Sequence, residues 1–426
     1  MMEQEELKRK LMGLWERATH SSKELLSILF EYYFDINYLE YKESDGKVVS
    51  ALFGIPYTFG SGEKNLKGLY LISLSLEEGF RKKGILSELF HNFNQRMKEE
   101  FDFTFIVPHT ELLADYYGTQ GYFSSFFIIE ERFTPHHDFK KDYFLSLTDS
   151  DERIKDLKKG LFGEIKVVDQ KTEPVFSNDQ IIKFIESIEN KSISSVNLTH
   201  TRRDLDYIIL DDSLRNLGCF VSYDSDGRIT GVSFTQKEDI KRTKIVASYV
   251  SDLCSYYVLL DFIKHHFSDH SLSIITSDPK YQSHSIIQQT YASENPAGGD
   301  LDNTFGTIEI SFNVNKLLQP LGMVRLLRFE NIITYLSMTR SDVEFKLHIR
   351  DYNIEEIPAK LKTVFVVRNG KCKIEKYDEL PHDKSILSLS IKEISELLLR
   401  KNDTSNLIME AFGIPRLNLQ MRLLPF

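Results

Sequence analysis

The residues best placed to do chemistry in this chain form a basic turn, Arg81-Lys82-Lys83-Gly84-Ile85-Leu86. An apolar, β-prone run from Tyr70 to Leu76 precedes the turn, and an amphipathic pattern that predicts a helix to about Phe101 follows it. Three cations at a helix start oppose the helix dipole, which favours a bound anion there. Gly84 lets the backbone approach that anion closely, and N–H groups at the helix start can bind it. We therefore predict a phosphate or pyrophosphate site; the alternative is a solvated helix start that binds nothing.

The spacing of the turn narrows the class of phosphate site. It matches neither the P-loop pattern G-x-x-x-x-G-K-[ST] nor the dinucleotide-binding pattern G-x-G-x-x-G. It resembles the R-x-x-G-x-G/A signature of the GNAT superfamily of acetyl-CoA-dependent acyltransferases. Leu86 departs from the small last residue of that signature. In this respect the turn resembles that of the enhanced intracellular survival (Eis) acetyltransferases, which typically ends Arg-Gly-Val/Ile-Leu.

The resemblance implies where acetyl-CoA would bind. In GNAT folds, amides of the turn bind the pyrophosphate, and amides exposed by a bulge in the preceding strand bind the pantetheine and the acetyl carbonyl. By spacing from Gly84, the bulge amides are expected at Leu74 and Leu76, and Thr110 and Glu111 are expected near the cofactor or substrate. The predicted cofactor-binding residues are Leu74, Ser75, Leu76, Arg81, Lys82, Lys83, Gly84, Ile85, Leu86, Ser87, Thr110 and Glu111.

The resemblance also implies two catalytic residues. The stretch Asp115–Tyr122 looks like the late helix and turn of the superfamily, in which a tyrosine stands four residues before Gly-aromatic, as Tyr117 does here. A phenol has an ordinary pKa of about 10, close to that of a thiol, so Tyr117 is expected to protonate the leaving CoA sulfur. Tyr116 and Tyr122 are alternatives, and so is a packing role for Tyr117. In Eis proteins the terminal carboxylate, often on a Phe, serves as general base, which implies that role for Phe426.

The composition bears on partners and metals. A net charge of −10 argues against a general nucleic-acid binder and is compatible with a cationic substrate such as an amine, although it could serve solubility alone. Three cysteines without CxxC spacing indicate reduced thiols and no zinc site. The histidines from His265 to His270 lack a metal-binding frame and are interpreted as surface residues. No apolar run approaches the roughly 18 residues of a membrane helix, so we expect a soluble, cytoplasmic protein.

The elements that must position these residues follow the order of the GNAT fold. Helical periodicity covers Glu5 to Phe34 with a break at His20-Ser21-Ser22, and Ser44-Asp45-Gly46 predicts a hairpin between two strands. The organising strand, the basic turn and its helix come next, and then a strand, a helix and a last strand. The resulting order ααβββαβαβ matches the GNAT fold over roughly the first 135 residues.

The rest of the chain predicts two further domains. Asp226–Phe234 echoes Asp45–Phe53, but the following turn, Ser251–Ser255, carries an acid and neither a base nor a glycine, which suggests a degenerate GNAT copy without a phosphate site. The segment from Gly322 onward looks like the sterol-carrier-like domain that closes Eis proteins. The predicted fold class is α+β, with a catalytic GNAT domain (1–137), a degenerate GNAT-like domain (150–315), both with mixed sheets, and a sterol-carrier-like α/β domain (321–426).

The function predicted on this basis is acetyl-CoA-dependent N-acetyl transfer to a primary amine, with acetyl-CoA as cosubstrate and no metal. The Eis resemblance implies aminoglycosides, polyamines or lysine side chains as acceptors and a homo-hexamer as the assembly. Two alternatives stay open at this point. One is an acyltransferase that uses a longer acyl chain, and the other is a non-catalytic protein that binds acyl-CoA or lipid.

Overall fold

The computed structural model describes residues 2–19, 23–60, 65–133, 165–191, 196–215, 217–276, 315–339, 343–352, 361–399 and 419–420. The chain divides into two compact units, and each is described by itself. The first unit comprises Met1–Phe126, Ile193–Thr199 and Pro320–Leu419, and the second comprises Phe127–Ser192, His200–Gln319 and Gln420–Phe426. The domain boundaries given above stay predictions.

The helices follow the apolar periodicity of the sequence. In the first helix, for example, Leu7, Leu11 and Leu14 share one buried face at spacings of four and three residues. The predicted break at 20–22 lies outside the described residues, between the first two helices. The described α-helices are α1 (Met2–Thr19), α2 (Lys23–Tyr33), α3 (Ile85–Met97), α4 (Glu111–Thr119), α5 (Asn178–Lys191), α6 (Arg202–Arg215), α7 (Leu253–His266), α8 (Phe329–Thr339) and α9 (Ile391–Leu399).

Two pairs of neighbouring strands are joined by tight turns of Asp-Gly or Asn-Gly. Asp45 and Gly46 have φ angles of 51° and 73°, so the predicted hairpin turn is confirmed. Asn369 and Gly370, with φ angles of 50° and 69°, form a second turn of the same kind. The described strands are β1 (Leu39–Ser44), β2 (Lys47–Phe59), β3 (Leu66–Leu76), β4 (Phe103–Ile106), β5 (Phe123–Phe133), β6 (Lys166–Asp169), β7 (Val196–Thr199), β8 (Leu217–Tyr223), β9 (Ile229–Asp239), β10 (Arg242–Val250), β11 (Ser271–Thr276), β12 (Asn315–Leu326), β13 (Phe345–Ile349), β14 (Lys362–Arg368), β15 (Lys371–Tyr377), β16 (Ile386–Leu389) and β17 (Leu419–Gln420).

The sheet that carries the basic turn lies in the first unit. Strand β2 pairs antiparallel with β1 and β3, and β3 pairs in parallel with β4. Helix α3 supplies the crossover that parallel neighbours require. On its other side β4 pairs antiparallel with β12, from Ile106–Met323 to Phe103–Leu326. A strand from the far end of the sequence is therefore a neighbour of β4.

Helices cover both faces of this sheet. Helices α1 and α2 cover one face, where Trp15 packs on Phe30 and Phe53 with ring centroids 5.0 and 6.2 Å apart. Helix α3 covers the other, and its buried Phe90 and Phe93 belong to one apolar cluster with residues of β2, β3 and α4. Because α3 is held on the sheet by this cluster, its N-terminus is fixed relative to the end of β3.

A buried carboxylate joins two segments of the first unit that are far apart in sequence. Asp102 is 2% exposed and lies just before β4. Its carboxylate accepts hydrogen bonds from the Lys67 amide at 2.7 Å and from Arg328 Nε and Nη2 at 3.0 and 2.7 Å. Its Oδ1 also accepts from Asn331 Nδ2 at 2.8 Å. Asp102 therefore links the start of β3 to the β12–α8 segment.

The C-terminal part of the first unit forms a separate four-stranded sheet in the order β15-β14-β13-β16. Its hairpin strands are antiparallel, and β13 and β16 are parallel. Helix α8 packs against β14 and β15. The second unit contains the sheet β6-β8-β9-β10-β11-β5, in which β10 and β11 are parallel and the other neighbours are antiparallel.

Two differences from the predicted elements concern the basic turn. Helix α3 ends at Met97 rather than near Phe101, and a 3-10 turn, Glu78–Phe80, lies between β3 and the cations. Phe101 lies in the loop after α3, and its side chain is buried, 1% exposed. Because a buried loop residue and a buried helix residue are both apolar, the sequence pattern extended the predicted helix too far. Among the described residues, no helix is long and apolar enough to span a membrane.

Candidate functional site

The site is built around the place where β3 leaves β4. Parallel pairing between the two strands runs from Gly68–Phe103 to Tyr70–Phe105, and in the described chain β3 continues alone on that side to Leu76. Two parallel strands that separate in this way leave backbone groups along the inner edge of each strand without a ladder partner. The end of β3 can therefore offer amides to a ligand that enters between the strands.

A bulge lies in this same part of β3. The register with β2 shifts between Phe53–Ile72 and Ala51–Ser75, so that Ser73 and Leu74 stand opposite one residue of β2. Such a bulge re-aims backbone groups and twists the strand locally. The bulge that the resemblance implied is thus present, at the position that spacing from the turn indicated.

The three predicted cofactor residues of β3 have different environments. Leu74 is half-buried and packs on the α3 cluster, and Leu76 is half-buried at the strand end. Ser75 is 3% exposed, and its hydroxyl has no hydrogen-bond partner among the described residues. Its carbonyl accepts a hydrogen bond from Ser50 Oγ at 2.9 Å. The strand is therefore anchored to β2 at the point where the predicted amides lie.

The basic turn reaches helix α3 through two left-handed residues. Lys82 has φ +63°, and Gly84, the N-cap residue of α3, has φ +76° and ψ 0°. A left-handed lysine costs about 1–2 kcal/mol relative to an ordinary conformation. Turns with such residues gather successive N–H groups into a concave, anion-binding surface. This backbone geometry favours the anion interpretation over a simple helix start.

No side chain of the described residues caps the N-terminus of α3. Gly84 has no side chain to cap the helix, and the first helical hydrogen bond runs from the Glu88 N–H to the Gly84 carbonyl at 3.0 Å. The N–H groups of Ile85, Leu86 and Ser87 therefore precede the helical ladder. These groups and the positive end of the helix dipole point at one place. Two of the predicted turn amides, those of Ile85 and Leu86, are among these groups.

The predicted cations are exposed around this place. The Arg81 side chain is 66% exposed, and its guanidinium lies 3.9 Å from the Glu78 carboxylate, a distance at which an exposed pair contributes little. Lys83 Nζ lies 4.8 Å from the ring centroid of Phe80. Because none of these cations is buried or tightly paired, each can turn toward an arriving phosphate.

The corresponding helix of the second unit shows the opposite arrangement. Helix α7 also follows a strand that has a parallel neighbour, but Asp252 caps it by accepting a hydrogen bond from the Ser255 N–H at 2.8 Å. The acid noted in the sequence thus occupies the position where a phosphate would bind. Of these two helix starts, only that of α3 is left for a ligand.

Tyr117 lies on α4 with its ring in the apolar cluster under α3. It is 5% exposed, and its ring makes an edge contact with Phe90 at a centroid distance of 6.0 Å. Burial, followed by the neighbouring Tyr122 and Tyr116, raises the pKa of Tyr117 to about 12. The phenol is therefore protonated throughout the neutral range. It can donate a proton but cannot serve as a base there.

The two alternative tyrosines have other environments. The Tyr122 hydroxyl is fully buried and lies 2.8 Å from Thr104 Oγ1, which in turn donates to Asn94 Oδ1 at 3.1 Å. This network ties α3 to β4 and occupies the Tyr122 hydroxyl. The Tyr116 hydroxyl is buried. Burial raises the pKa of Tyr116, and the smaller effect of Ser87 lowers it.

The remaining predicted residues lie at the edge of the site or outside the described chain. Thr110 is the N-cap of α4, where its hydroxyl accepts from the Leu113 N–H at 3.3 Å, and Glu111 is exposed in the first turn. Ser87 Oγ accepts a hydrogen bond from Gln120 Nε2 at 3.3 Å. Phe426 lies outside the described residues.

Sequence reasoning missed two features of the site. The left-handed Lys82 carries no signal in a single sequence, because such turns usually show glycine or asparagine there. The contact between Ser87 and Gln120 joins residues 33 positions apart. It could have been anticipated only from the expected approach of α3 and the end of α4.

The fold is that of solved GNAT-type proteins. A protein from Enterococcus faecalis V583 described as a probable N-acyltransferase aligns with TM-score 0.65 at 14% identity, over 95% of this chain and 90% of that chain. A GCN5-related N-acetyltransferase from Anabaena variabilis aligns with TM-score 0.63 at 14% identity, over 97% and 96%. Eis1 from Mycobacterium abscessus aligns with TM-score 0.59 at 10% identity, over 95% and 90%.

These similarities establish the architecture over nearly the whole chain. The predicted α+β fold class with mixed sheets of the GNAT type is confirmed. In sequence, neither a protein-family model nor a curated protein matches the chain. At 10–14% identity a structural similarity shows the fold alone. The chemistry must therefore be argued from the residues of the site.

Proposed function

We propose that the protein is an acetyl-CoA-dependent N-acetyltransferase of the Eis type that acts on a primary amine. The observation that carries this proposal is the uncapped N-terminus of α3, reached through left-handed Lys82 and Gly84. It directly follows a bulged strand that has left its parallel neighbour. A phosphate site at the start of α3 and a row of amides at the end of β3 suit a long ligand that has both a pyrophosphate and an acyl thioester.

In this proposal the backbone holds acetyl-CoA. The amides from Lys82 to Ser87 bind the pyrophosphate, with Arg81 and Lys83 adding charge from the exposed side. The amides of Leu74 and Leu76 bind the pantetheine and polarise the acetyl carbonyl. Hydrogen bonds to that oxygen strengthen as negative charge develops in the transition state, and this difference accelerates the reaction.

The transfer itself needs one proton donor and one acceptor. The neutral amine nitrogen attacks the thioester carbonyl, the C–S bond breaks, and the thiolate takes the phenolic proton of Tyr117. The amine nitrogen releases its proton to water, and the Tyr117 phenolate regains a proton from water. With a pKa of about 12 in the free protein, Tyr117 is a weaker acid than a thiol. Proton transfer from Tyr117 to the thiolate is therefore uphill by these pKa values, and reprotonation of the phenolate from water completes the step.

The acceptor is proposed to be a cationic amine of the aminoglycoside, polyamine or lysine class. The net charge of −10 supports this, because an acidic protein attracts cations from solution. An amine of this kind reaches the site protonated and must lose a proton before it can attack. Activity with such acceptors is therefore expected to rise with pH through the alkaline range until Tyr117 begins to ionise.

The proposal is tested by thiol release from acetyl-CoA with a panel of amines. We expect amine-dependent release of free CoA and an acetylated amine of mass increased by one acetyl group. Butyryl-CoA in the same assay tests the alternative of a longer acyl chain. If calorimetry shows CoA binding but no amine in the panel is acetylated, the chain is a CoA-binding protein and the catalytic part of the proposal is wrong.

A further inference from the structure

A large open cavity lies beside α3 within the first unit. Its volume is about 1290 Å³. One wall is the face of α3 that carries Ser87, His91 and Gln95, and the opposite walls come from the turn after α4 and from the β12–α8 segment. From Ser87 to Lys98, which also lines it, the cavity follows α3 for roughly 16 Å at 1.5 Å per residue. Tyr117 does not line this cavity.

The cavity meets the N-terminal turn of α3 at Ser87. Ser87 belongs to both, because it stands in the first turn of α3 and also lines the cavity. Gln120, another lining residue, donates from Nε2 to Ser87 Oγ at 3.3 Å. A ligand whose phosphate sits at the N-terminus of α3 therefore has this cavity beside it, at Ser87.

One cation of the cavity is positioned but not neutralised. Arg325 on β12 donates from Nη1 to the Gln120 carbonyl at 2.6 Å, which fixes its guanidinium beside the turn. Within the described residues no carboxylate comes within ion-pair distance of Arg325. The neighbouring Arg328 is different, because Asp102 binds it through two nitrogens. A guanidinium has five N–H donors, so Arg325 keeps donors that can bind a phosphate bidentately.

We propose that this cavity takes the 3′-phosphoadenosine end of coenzyme A and that Arg325 binds its 3′-phosphate. This inference rests on the proposed function. The pyrophosphate lies in the middle of the coenzyme, and the pantetheine arm must run from the turn toward the bulge of β3. The nucleotide end must leave in another direction, and the cavity borders the N-terminus of α3 at Ser87. A residue from the far end of the sequence thus completes the cofactor site.

The test compares coenzyme A with 3′-dephospho-coenzyme A by calorimetry. We expect wild-type protein to bind coenzyme A about tenfold or more tightly than the dephospho form, the usual scale of a charge-assisted hydrogen bond. Arg325→Gln should abolish this ratio by weakening coenzyme A alone. Its unchanged affinity for dephospho-coenzyme A shows that the variant is folded. Arg368→Gln, the same change at an exposed arginine of β14 in the same unit, should leave both affinities unchanged.

Each other outcome overturns a defined part of the reasoning. Equal wild-type affinities for the two ligands would mean that no group recognises the 3′-phosphate, and the inference would be wrong while the proposed function stands. A ratio that survives Arg325→Gln, or a variant that loses both ligands equally, would remove Arg325 from the 3′-phosphate. Failure of the wild-type protein to bind either ligand would instead refute the proposed function.

Discussion

Replacing Gly84 by alanine distinguishes two effects of the substitution, the strain of a left-handed backbone on stability and the obstruction of the phosphate site by a Cβ atom. A Cβ built on Gly84 meets no atom within 4 Å, so the substitution causes no clash in the free protein. The cost to folding is then the left-handed backbone alone, about 1–2 kcal/mol at φ +76°. In the proposed site the same Cβ would lie among the amides that bind the pyrophosphate. Losing even one charge-assisted hydrogen bond of about 1.5–3 kcal/mol weakens coenzyme A binding about tenfold to a hundredfold.

Gly46 provides the matched control for this experiment. It has φ +73°, a Cβ there also meets nothing within 4 Å, and it lies in the β1–β2 hairpin. Gly46→Ala should therefore cost the same stability in urea unfolding as Gly84→Ala and leave coenzyme A affinity in calorimetry unchanged. A Gly84→Ala protein that binds coenzyme A like wild type would refute the site. A parallel loss of affinity in both variants would show that strain, not approach, is responsible.

Four further predictions follow from the same structure. Tyr117→Phe should lower kcat about 10²-fold with unchanged coenzyme A affinity, and wild-type turnover would make Tyr117 a packing residue. Lys82→Gly should keep most of the affinity measured by calorimetry, whereas Lys82→Val should lose it about tenfold or more, because valine resists a left-handed backbone; equal losses would assign the binding to the ammonium group instead. Asp102→Ala should lower the unfolding free energy by about 3–5 kcal/mol in urea, because Arg328 loses its partner, whereas Asp115→Ala on the exposed side of α4 should not. Burial raises the pKa of Tyr122 to about 12, above its value of about 10 in the unfolded chain, so the folded protein loses stability as the pH rises from about 10 to 12. Over that range the urea midpoint of the wild-type protein should fall more steeply than that of Tyr122→Phe.

Local patterns in the sequence were sufficient to predict the elements of the site. The glycine of the basic turn, the amphipathic face of α3 and the Asp-Gly and Asn-Gly hairpins each depend on neighbouring residues, and each is present in the structure. The bulge near Leu74 was predicted from the resemblance and not from the residues themselves.

What could not be predicted depends on contacts between distant residues. Nothing in the sequence of β12 indicates that this strand pairs with β4. The pKa of Tyr117 was taken as that of a free phenol, whereas burial among aromatic rings raises it to about 12. Arg325 belongs to no sequence motif. Its proposed role depends on the fold, which brings its guanidinium to the Gln120 carbonyl.

The pairing of β4 with β12 also determines how the part of the chain that carries the basic turn can be isolated. All four residues of β4 are buried, and one of their two strand neighbours arrives from beyond residue 320. A fragment ending after β5 would contain the basic turn and α4 and would still expose a hydrophobic sheet edge, the kind of surface on which chains aggregate. It would also leave the Asp102 carboxylate without Arg328 and Asn331. The scaffold of the site is thus discontinuous in sequence, and any expression fragment or chimera has to carry both of its segments.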